Sequence, residues 1–223
     1  ADDVVKVDHL SQTNKYRCFI RVPASNAVTQ TRSASNSDID FSKFTILVFD
    51  ENNKYLTNAD LDIVKNPPKY DEKLEAYELI VCLPITEDLA TLVFIANIRP
   101  LENIEEASSL ADFYDTQRLN FTGKWGDGKS NLVPMWGEIN DIKLTGEYTN
   151  DQMKVSLLRS MAKIDLQTEL VPEVFTISSA HIYLSLADGL LIPQKDKLDV
   201  ANNKVSSPSL IPNTPFNVGK GDP

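Results

Sequence analysis

Alternation of side chains with a period of two is the feature that most limits what this chain can fold into. Within residues 16–22, every second side chain belongs to one apolar row, formed by Tyr16, Cys18, Ile20 and Val22. Residues 77–83 repeat the pattern with a row formed by Tyr77, Leu79, Val81 and Leu83. Successive side chains of a β-strand point to opposite faces, so this period predicts two strands that each cover a core on one side.

Other segments extend the β pattern. Residues 44–49 and 92–98 are apolar almost throughout, which predicts strands covered on both faces. Residues 50–54, which follow the first of these runs, have the composition of a hairpin turn. A last strand is predicted from about residue 174 to 186, and residues 24–40 are predicted to form a long exposed loop.

Residues 153–166 contain two apolar rows of opposite parity. The rows are Met153, Val155 and Leu157, and then Ala162, Ile164 and Leu166. One extra residue at the switch, a β-bulge at residues 157–158, would restore a single buried face.

One segment has the spacing of a helix. Between residues 101 and 117, apolar side chains recur at steps of three and four, with acidic residues between them. The sequence therefore predicts a mainly β fold, a two-sheet β-sandwich of about seven strands with one short amphipathic helix. Residues 1–192 are assigned to this domain. The proline-rich residues 193–223 are interpreted as a linker or the truncated start of a second domain.

Charge and composition exclude several functions. The net charge of −10 and the lack of a Lys/Arg run exclude nucleic acid as a partner. No apolar run approaches the roughly 18 residues that a membrane span requires. Cys18 and Cys82 are consistent either with one disulfide or with two free thiols, so the cysteines do not identify a compartment.

Residues 123–130, GKWGDGKS, match the phosphate-loop pattern G-x-x-x-x-G-K-[ST] letter for letter. That loop binds phosphate only where a helix opens at its Lys-Ser pair. Pro134 follows too closely for an amphipathic helix, so the segment is predicted to be a glycine-rich surface loop. A nucleotide-hydrolysing enzyme would require a helix beginning at Lys129.

Other chemistry has little support in the sequence. The two histidines, His9 and His181, are not in a pattern that suggests a catalytic triad, and no spacing indicates a metal site or a cofactor. Trp125 and Trp136 flank the glycine-rich loop and could form an aromatic platform for a glycan or a host protein. The alternative is that Trp136 is a core anchor.

Four segments together resemble the fimbrillin-like proteins of Bacteroidetes, which include major, minor and anchoring fimbrial subunits. The segments are KFTILVFDEN (43–52), LVFIAN (92–97), VPMWGE (133–138) and LRSMAKIDL (158–166). The resemblance covers roughly residues 10–192. It implies a transthyretin-like sandwich, export to the cell surface as an outer-membrane lipoprotein, and a structural role instead of an enzymatic one.

The resemblance also implies a mode of assembly. In such families a protease cuts after an arginine near the first strand, and a neighbouring fimbrial subunit fills the vacated groove with its own strand. Here the displaced strand would carry the row Tyr16, Cys18, Ile20 and Val22, and Arg32 is the predicted cleavage site. A lipid-bearing cysteine, a second sandwich domain and a C-terminal donor segment are not visible in this sequence. The chain is therefore expected to be a fragment or a shorter anchor or tip-like member.

Overall fold

The computed structural model describes residues 13–22, 39–86, 88–98, 104, 109–120, 132–145, 153–160, 181–182, 188–193, 198–199, 204–205 and 216–217. Strands account for 54% of the described residues, so the fold is mainly β. In chain order, the strands are β1 (Thr13–Arg21), β2 (Phe44–Phe49), β3 (Tyr55–Asn58), β4 (Asp60–Leu61), β5 (Lys69–Asp71), β6 (Ala76–Pro84), β7 (Leu89–Ala96), β8 (Arg118–Asn120), β9 (Met135–Lys143), β10 (Lys154–Ser156), β11 (Leu158–Arg159), β12 (His181–Ile182), β13 (Asp188–Leu190), β14 (Leu198–Asp199), β15 (Lys204–Val205) and β16 (Phe216–Asn217). A short 3-10 helix, Phe41–Lys43, precedes β2, and α1 spans Leu110–Thr116.

Two five-stranded sheets form a sandwich, as the sequence predicts. The first sheet has the order β10-β1-β6-β4, with β5 also paired to β6, and the second has the order β11-β9-β7-β2-β3. Three two-stranded pairs, β8-β13, β12-β16 and β14-β15, complete the described strands. The strands beyond the predicted ones are mostly segments of two to four residues, which are too short to produce a visible period in the sequence.

The core has two layers, which explains why two strands are apolar on both faces. Alternate residues of β2, namely Phe44, Ile46 and Val48, pack between the sheets, while Leu47 and Phe49 point to the other side. There a second cluster is covered by α1 and by three further side chains, Leu119, Leu191 and Ile192. β2 therefore lies between the two core layers and is covered on both faces.

The predicted hairpin turn at residues 50–54 is confirmed. One carboxylate oxygen of Asp50 accepts hydrogen bonds from the backbone N–H groups of Asn52, at 2.9 Å, and Lys54, at 2.7 Å. Asn53 has a positive φ of 60°, a conformation that asparagine tolerates better than most residues. These contacts return the chain from β2 into β3 in the same sheet.

The predicted β-bulge at residues 157–158 is wrong. β10 belongs to the first sheet, where it pairs with β1, whereas β11 belongs to the second sheet, where it pairs with β9. Leu157 accordingly packs in the cluster between the sheets and Leu158 against the outer cluster. The parity changes because the chain crosses from one sheet to the other. The second apolar row, residues 162–166, lies outside the described residues.

The helix is shorter than the predicted span of 101–117. It begins at Leu110, because the side chain of Ser109 accepts a hydrogen bond from the backbone N–H of Asp112 and caps the first turn. The predicted apolar stripe consists of Leu101, Ile104, Leu110, Phe113 and Tyr114, and the last three of these side chains are the ones that α1 buries. Ile104 lies in a turn.

Several other expectations concern residues that are only partly described. Most of the predicted loop at 24–40, the GKWGDGKS segment and most of the predicted strand at 174–186 lie outside the described residues. Residues 181–182 of that strand pair with Phe216–Asn217. Leu198 packs against the outer cluster. The boundary between residues 192 and 193 stays a prediction.

Candidate functional site: the first strand and its groove

β1 occupies an inner position of the first sheet. It pairs antiparallel with β6 from Thr13 to Ile20, and parallel with β10 over three residues, Phe19 to Arg21. Two further backbone hydrogen bonds join it to the residues that flank β10: Phe19 N–H to Met153 O at 2.9 Å, and Leu157 N–H to Arg21 O at 2.8 Å. The strand is therefore held by backbone hydrogen bonds along both edges.

The apolar row of β1 forms one wall of the core. Tyr16, Cys18, Ile20 and Val22 all belong to the cluster between the sheets. Cys18 and Ile20 are fully buried, and Tyr16 is 6% exposed. Burying an aliphatic side chain of this size contributes about 1.5–3 kcal/mol, so the row supplies several kcal/mol of the free energy of folding. Without β1, the core side chains opposite this row would be open to water.

Tyr16 adds a directional contact to this apolar row. Its hydroxyl donates a buried hydrogen bond to the backbone carbonyl of Leu144 at 2.9 Å. Leu144 directly follows β9, so the bond joins the first sheet to the second across the core. Tyr16 was predicted from the alternation, but its partner was not. The partner depends on an irregularity in β9, where Asp141 has a φ of 55° and the register with β7 shifts.

Cys18 and Cys82 are free thiols in different environments. Cys18 lies opposite Leu79 and Cys82 lies opposite Lys15, so the two cysteines are three residues apart along the strand pair. That offset corresponds to about 10 Å along the strands and places the side chains on opposite faces. A disulfide needs a shorter Cα separation and converging Cβ atoms, and the pairing that the sequence left open is excluded.

Burial controls the chemistry of the Cys18 thiol. Removal from water raises the pKa of Cys18 from 9.0 to about 12, although a hydrogen bond from the backbone of Phe19 acts in the opposite direction. The thiol is therefore neutral at physiological pH and packs as a small apolar group.

The outer face of β1 carries positive charge toward acidic partners. Arg17 pairs with Glu78 on β6 at 2.8 Å, and Arg21 pairs with Glu75, just before β6, at 2.7 Å. Both arginine side chains are substantially exposed, at 60% and 44%. Exposed pairs of this kind contribute only about 0.2–1 kcal/mol each, so the ion pairs orient the strand more than they stabilise it.

The predicted cleavage residue, Arg32, lies outside the described residues. The chain is described again from Ile39, which is buried in the cluster between the sheets. Of the arginines on β1, Arg21 accepts a backbone hydrogen bond at its carbonyl oxygen, and Arg17 lies within the segment paired to β6. A protease needs an extended, unpaired backbone, so these two positions are protected while the strand stays in place.

The aromatic platform suggested by the sequence is not assembled at Trp136. This side chain is 7% exposed and lies in the outer cluster beneath α1, with its ring 5.9 Å from that of Tyr114 at an interplanar angle of 89°. Its faces are covered by protein and offer no open stacking surface. Trp125 lies outside the described residues.

Tyr114 links the helix to the second sheet. Its hydroxyl donates a short hydrogen bond to the carboxylate of Glu138. Burial, and then the negative charge of Glu138, raise the pKa of Tyr114 well above its ordinary range. Glu138 and Trp136 are two residues apart on β9 and therefore share a face. The VPMWGE segment thus fastens α1 to the sheet.

The fold and this site define a class of protein, a two-sheet β-sandwich in which β1, the first of the described strands, fills an inner position. No protein-family model matches the chain, and no curated protein matches it. Among solved structures, the chain is similar to the tip fimbrial protein Mfa3 from Porphyromonas gingivalis with a C-terminal truncation, at 13% identity and a TM-score of 0.40. The alignment covers 66% of this chain and 48% of that one, so this chain spans about half the length of the structure it matches.

Within the part of the chain that the structure describes, no helix is long and apolar enough to cross a membrane. The same residues contain no group of three or more His, Cys, Asp or Glu side chains arranged to hold a metal ion.

Proposed function

We propose that the chain is a structural subunit, or an accessory anchor or tip protein, of bacterial surface fimbriae. It assembles by strand exchange after proteolytic removal of the first strand. Its partners are other fimbrial subunits. The proposal includes cell-surface location through a lipid anchor on the outer membrane. The fimbrillin-like sequence segments support this role, and the placement of β1 supports the mechanism.

The observation that carries the proposal is the inner position of β1. Removing an edge strand exposes one row of backbone groups, but removing β1 exposes the edges of both β6 and β10 together with an apolar core wall. An incoming strand satisfies both sets of backbone groups and covers the apolar surface in one step. A vacancy of this kind is a strong acceptor for an extended segment.

Limited trypsin digestion of the full-length protein, followed by native electrophoresis, tests the proposal. We expect the first cut after Arg32, because the arginines on β1 are held by backbone pairing. The β1 fragment should then leave slowly and oligomers should accumulate as a ladder. The matched control is Arg32→Gln, which should delay both the first cut and the ladder.

Two results would count against the mechanism. An early cut at Arg17 or Arg21 would mean that β1 is not protected in solution. A chain that is cut within residues 23–38, loses its β1 fragment and never binds a replacement strand would exclude strand exchange. The full chain should be used throughout, so that the core is intact when the first cut is made.

The alternative, a glycan- or host-binding module built on two exposed tryptophans, receives no support from Trp136. Because its ring is covered by α1, a sugar could not stack on it without moving the helix. Host binding through another surface would be a separate proposal. The structural role is therefore the one that the geometry supports best.

A further inference from the structure

We infer that the groove that β1 fills, between β6 and β10, holds a strand of the β1 pattern in one direction only. We also infer that it selects that strand by a hydroxyl donor at the Tyr16 position, and that the preferred occupant repeats the pattern of β1. This inference rests on the proposed function, because it concerns the same groove. It names the chemistry of the partner segment: a tyrosine, then a small side chain, then branched apolar side chains at alternate positions. Basic residues stand at the Arg17 and Arg21 positions of the other face, and the buried Phe19 lies between them.

Backbone pairing alone does not fix the direction of an incoming strand. β1 runs antiparallel to β6 and parallel to β10, so β6 and β10 run in opposite directions. Any strand placed between them is antiparallel to one and parallel to the other, whichever way it points. The two pairings have different lengths, but both orientations offer hydrogen bonds on both sides. Direction must therefore come from side chains.

Tyr16 supplies a contact that distinguishes the two directions. Its hydroxyl reaches the carbonyl of Leu144, whose side chain is fully buried. When β1 leaves, this acceptor loses its donor. A replacement strand without a donor at this position would bury the carbonyl again and leave it without this hydrogen bond, which is costly. A reversed strand would bring the opposite end of its apolar row to this point.

The next position along the row has a size limit. Cys18 is fully buried opposite Leu79 and packs among the residues between the two sheets. A larger side chain would have to displace close-packed neighbours, whereas alanine or serine would fit in its volume. Two residues farther on, the fully buried Ile20 marks a site that accepts a branched side chain. Size therefore adds a second directional signal.

The outer face of the groove favours a basic strand. Glu78 and Glu75 lose their partners, Arg17 and Arg21, when β1 departs. Because these groups are exposed, we expect them to affect the rate of association more than the equilibrium. Charge on the incoming strand thus affects the association rate, and the residue at the Tyr16 position affects the dissociation rate.

A strand-replacement experiment tests this inference. The full chain, carrying an inserted site for a sequence-specific protease between residues 23 and 38, is nicked and incubated with an excess of labelled peptides. The parent peptide has the sequence of residues 14–22 with Cys18→Ala, which excludes thiol chemistry. Its variants carry Tyr16→Phe, Ala→Leu at the Cys18 position, a reversed sequence, or Arg17→Glu with Arg21→Glu. Native electrophoresis measures bound label.

We expect Tyr16→Phe to weaken equilibrium binding by about tenfold, the effect of losing one buried hydrogen bond. The reversed peptide should also bind more weakly. In the direction of β1 it loses the hydroxyl contact and the size match, and in the opposite direction it must pair parallel with β6 along the longer edge, which is the less stable pairing per residue. The charge-reversed peptide should associate more slowly at low salt, with the difference shrinking as salt is added.

The outcomes separate the inference from the proposed function. If the parent, Tyr16→Phe and reversed peptides all bind equally well, the groove accepts strands but does not select them, and the inference is overturned. If no peptide displaces the nicked β1 segment, even in mild denaturant that loosens it, strand exchange itself fails. Weaker binding of Tyr16→Phe together with normal binding of the parent supports both.

Discussion

Gly137 of β9 leaves the space that the side chain of Val155 occupies. A Cβ atom at Gly137 would lie 2.7 Å from Cγ2 of Val155 and 2.9 Å from Cδ2 of Leu157, well inside ordinary carbon contact distances. It would also lie 3.1 Å from the carbonyl oxygen of Ser156. These three residues are the point at which the chain crosses from the first sheet to the second. The glycine of the VPMWGE segment therefore permits the crossover that places β10 beside β1.

We expect Gly137→Ala to lower the free energy of unfolding by about 1–3 kcal/mol, because the crossing segment must shift to admit a methyl group. Urea denaturation followed by tryptophan fluorescence measures this. The matched variant is Val155→Ala, which removes the closest contacting atom. The double variant should lose less free energy of unfolding than the two single variants lose in sum, since the new methyl group enters the space vacated at Val155.

Additive costs in that cycle would show that the two sites do not share the space, and a neutral Gly137→Ala would mean that the crossing segment moves freely. A second expected consequence concerns β1. Displacing residues 155–157 disturbs the hydrogen bond from Leu157 N–H to Arg21 O. Gly137→Ala should therefore speed the loss of the β1 fragment from a nicked chain.

Cys18 should report directly on the position of β1. In a Cys82→Ala variant, the remaining thiol is fully buried and its raised pKa keeps it protonated. We expect an aromatic disulfide reagent at pH 8 to label it about a hundredfold more slowly than it labels Cys82 in the Cys18→Ala variant. Nicking and displacement of β1 should remove this protection. Rapid labelling of the intact chain would contradict the burial of the strand.

The raised pKa of Cys18 also predicts how stability depends on pH. Between pH 9 and about 12 the unfolded chain loses the thiol proton while the folded chain keeps it, so the folded state binds more protons. The free energy of unfolding should therefore fall as pH rises through this window, by up to about 1.4 kcal/mol per pH unit from this group. Below pH 9 the contribution is constant.

Other groups titrate in the same range, so the prediction concerns a difference between variants. Tyr114, whose pKa is raised by burial and by Glu138, should add to the loss above pH 10. The Cys18→Ala variant should have a shallower decline than the natural chain from pH 9 to 10, and Tyr114→Phe should differ mainly above pH 10. Parallel curves for the natural chain and Cys18→Ala would contradict a raised thiol pKa.

Much of the sandwich could be predicted from periodicity alone. The alternation in residues 16–22 and 77–83 identified β1, β6 and their core faces, because a half-buried strand has no other way to satisfy that pattern. The runs that are apolar at nearly every position identified β2 and β7, since each of these strands lies between two core layers and buries both faces. The turn at Asp50 could be predicted because an aspartate side chain commonly accepts hydrogen bonds from backbone N–H groups a few residues later, as Asp50 does here.

What the sequence did not reveal depends on contacts between distant segments. The crossover at Leu157 and Leu158 looked like a bulge because a change of parity has the same appearance whether a strand bends or changes sheets. The helix began later than its apolar stripe suggested, because one serine cap outweighed the period. The bond from Tyr16 to Leu144 spans 128 residues and depends on an irregularity in β9, for which the sequence carries no local sign.

Asn97 provides the last test, because it holds the chain at Asp40, where the described structure resumes after β1. It ends β7 with a φ of 68°, its side-chain oxygen accepts from Asp40 N–H at 2.8 Å, and its amide nitrogen donates to Val133 O at 2.8 Å. We expect Asn97→Gly, which tolerates this φ, to cost about 2 kcal/mol through the two lost hydrogen bonds. Asn97→Ala should cost roughly 1 kcal/mol more, because alanine disfavours the left-handed conformation. Urea denaturation of both variants separates the cost of the lost hydrogen bonds from the cost of the backbone conformation.

Equal costs for the two variants would mean that the backbone relaxes. An unchanged free energy of unfolding in Asn97→Gly would mean that these bonds do not hold the segment. If they do hold it, cleavage before Ile39 releases β1 while leaving the remaining chain anchored to the sandwich.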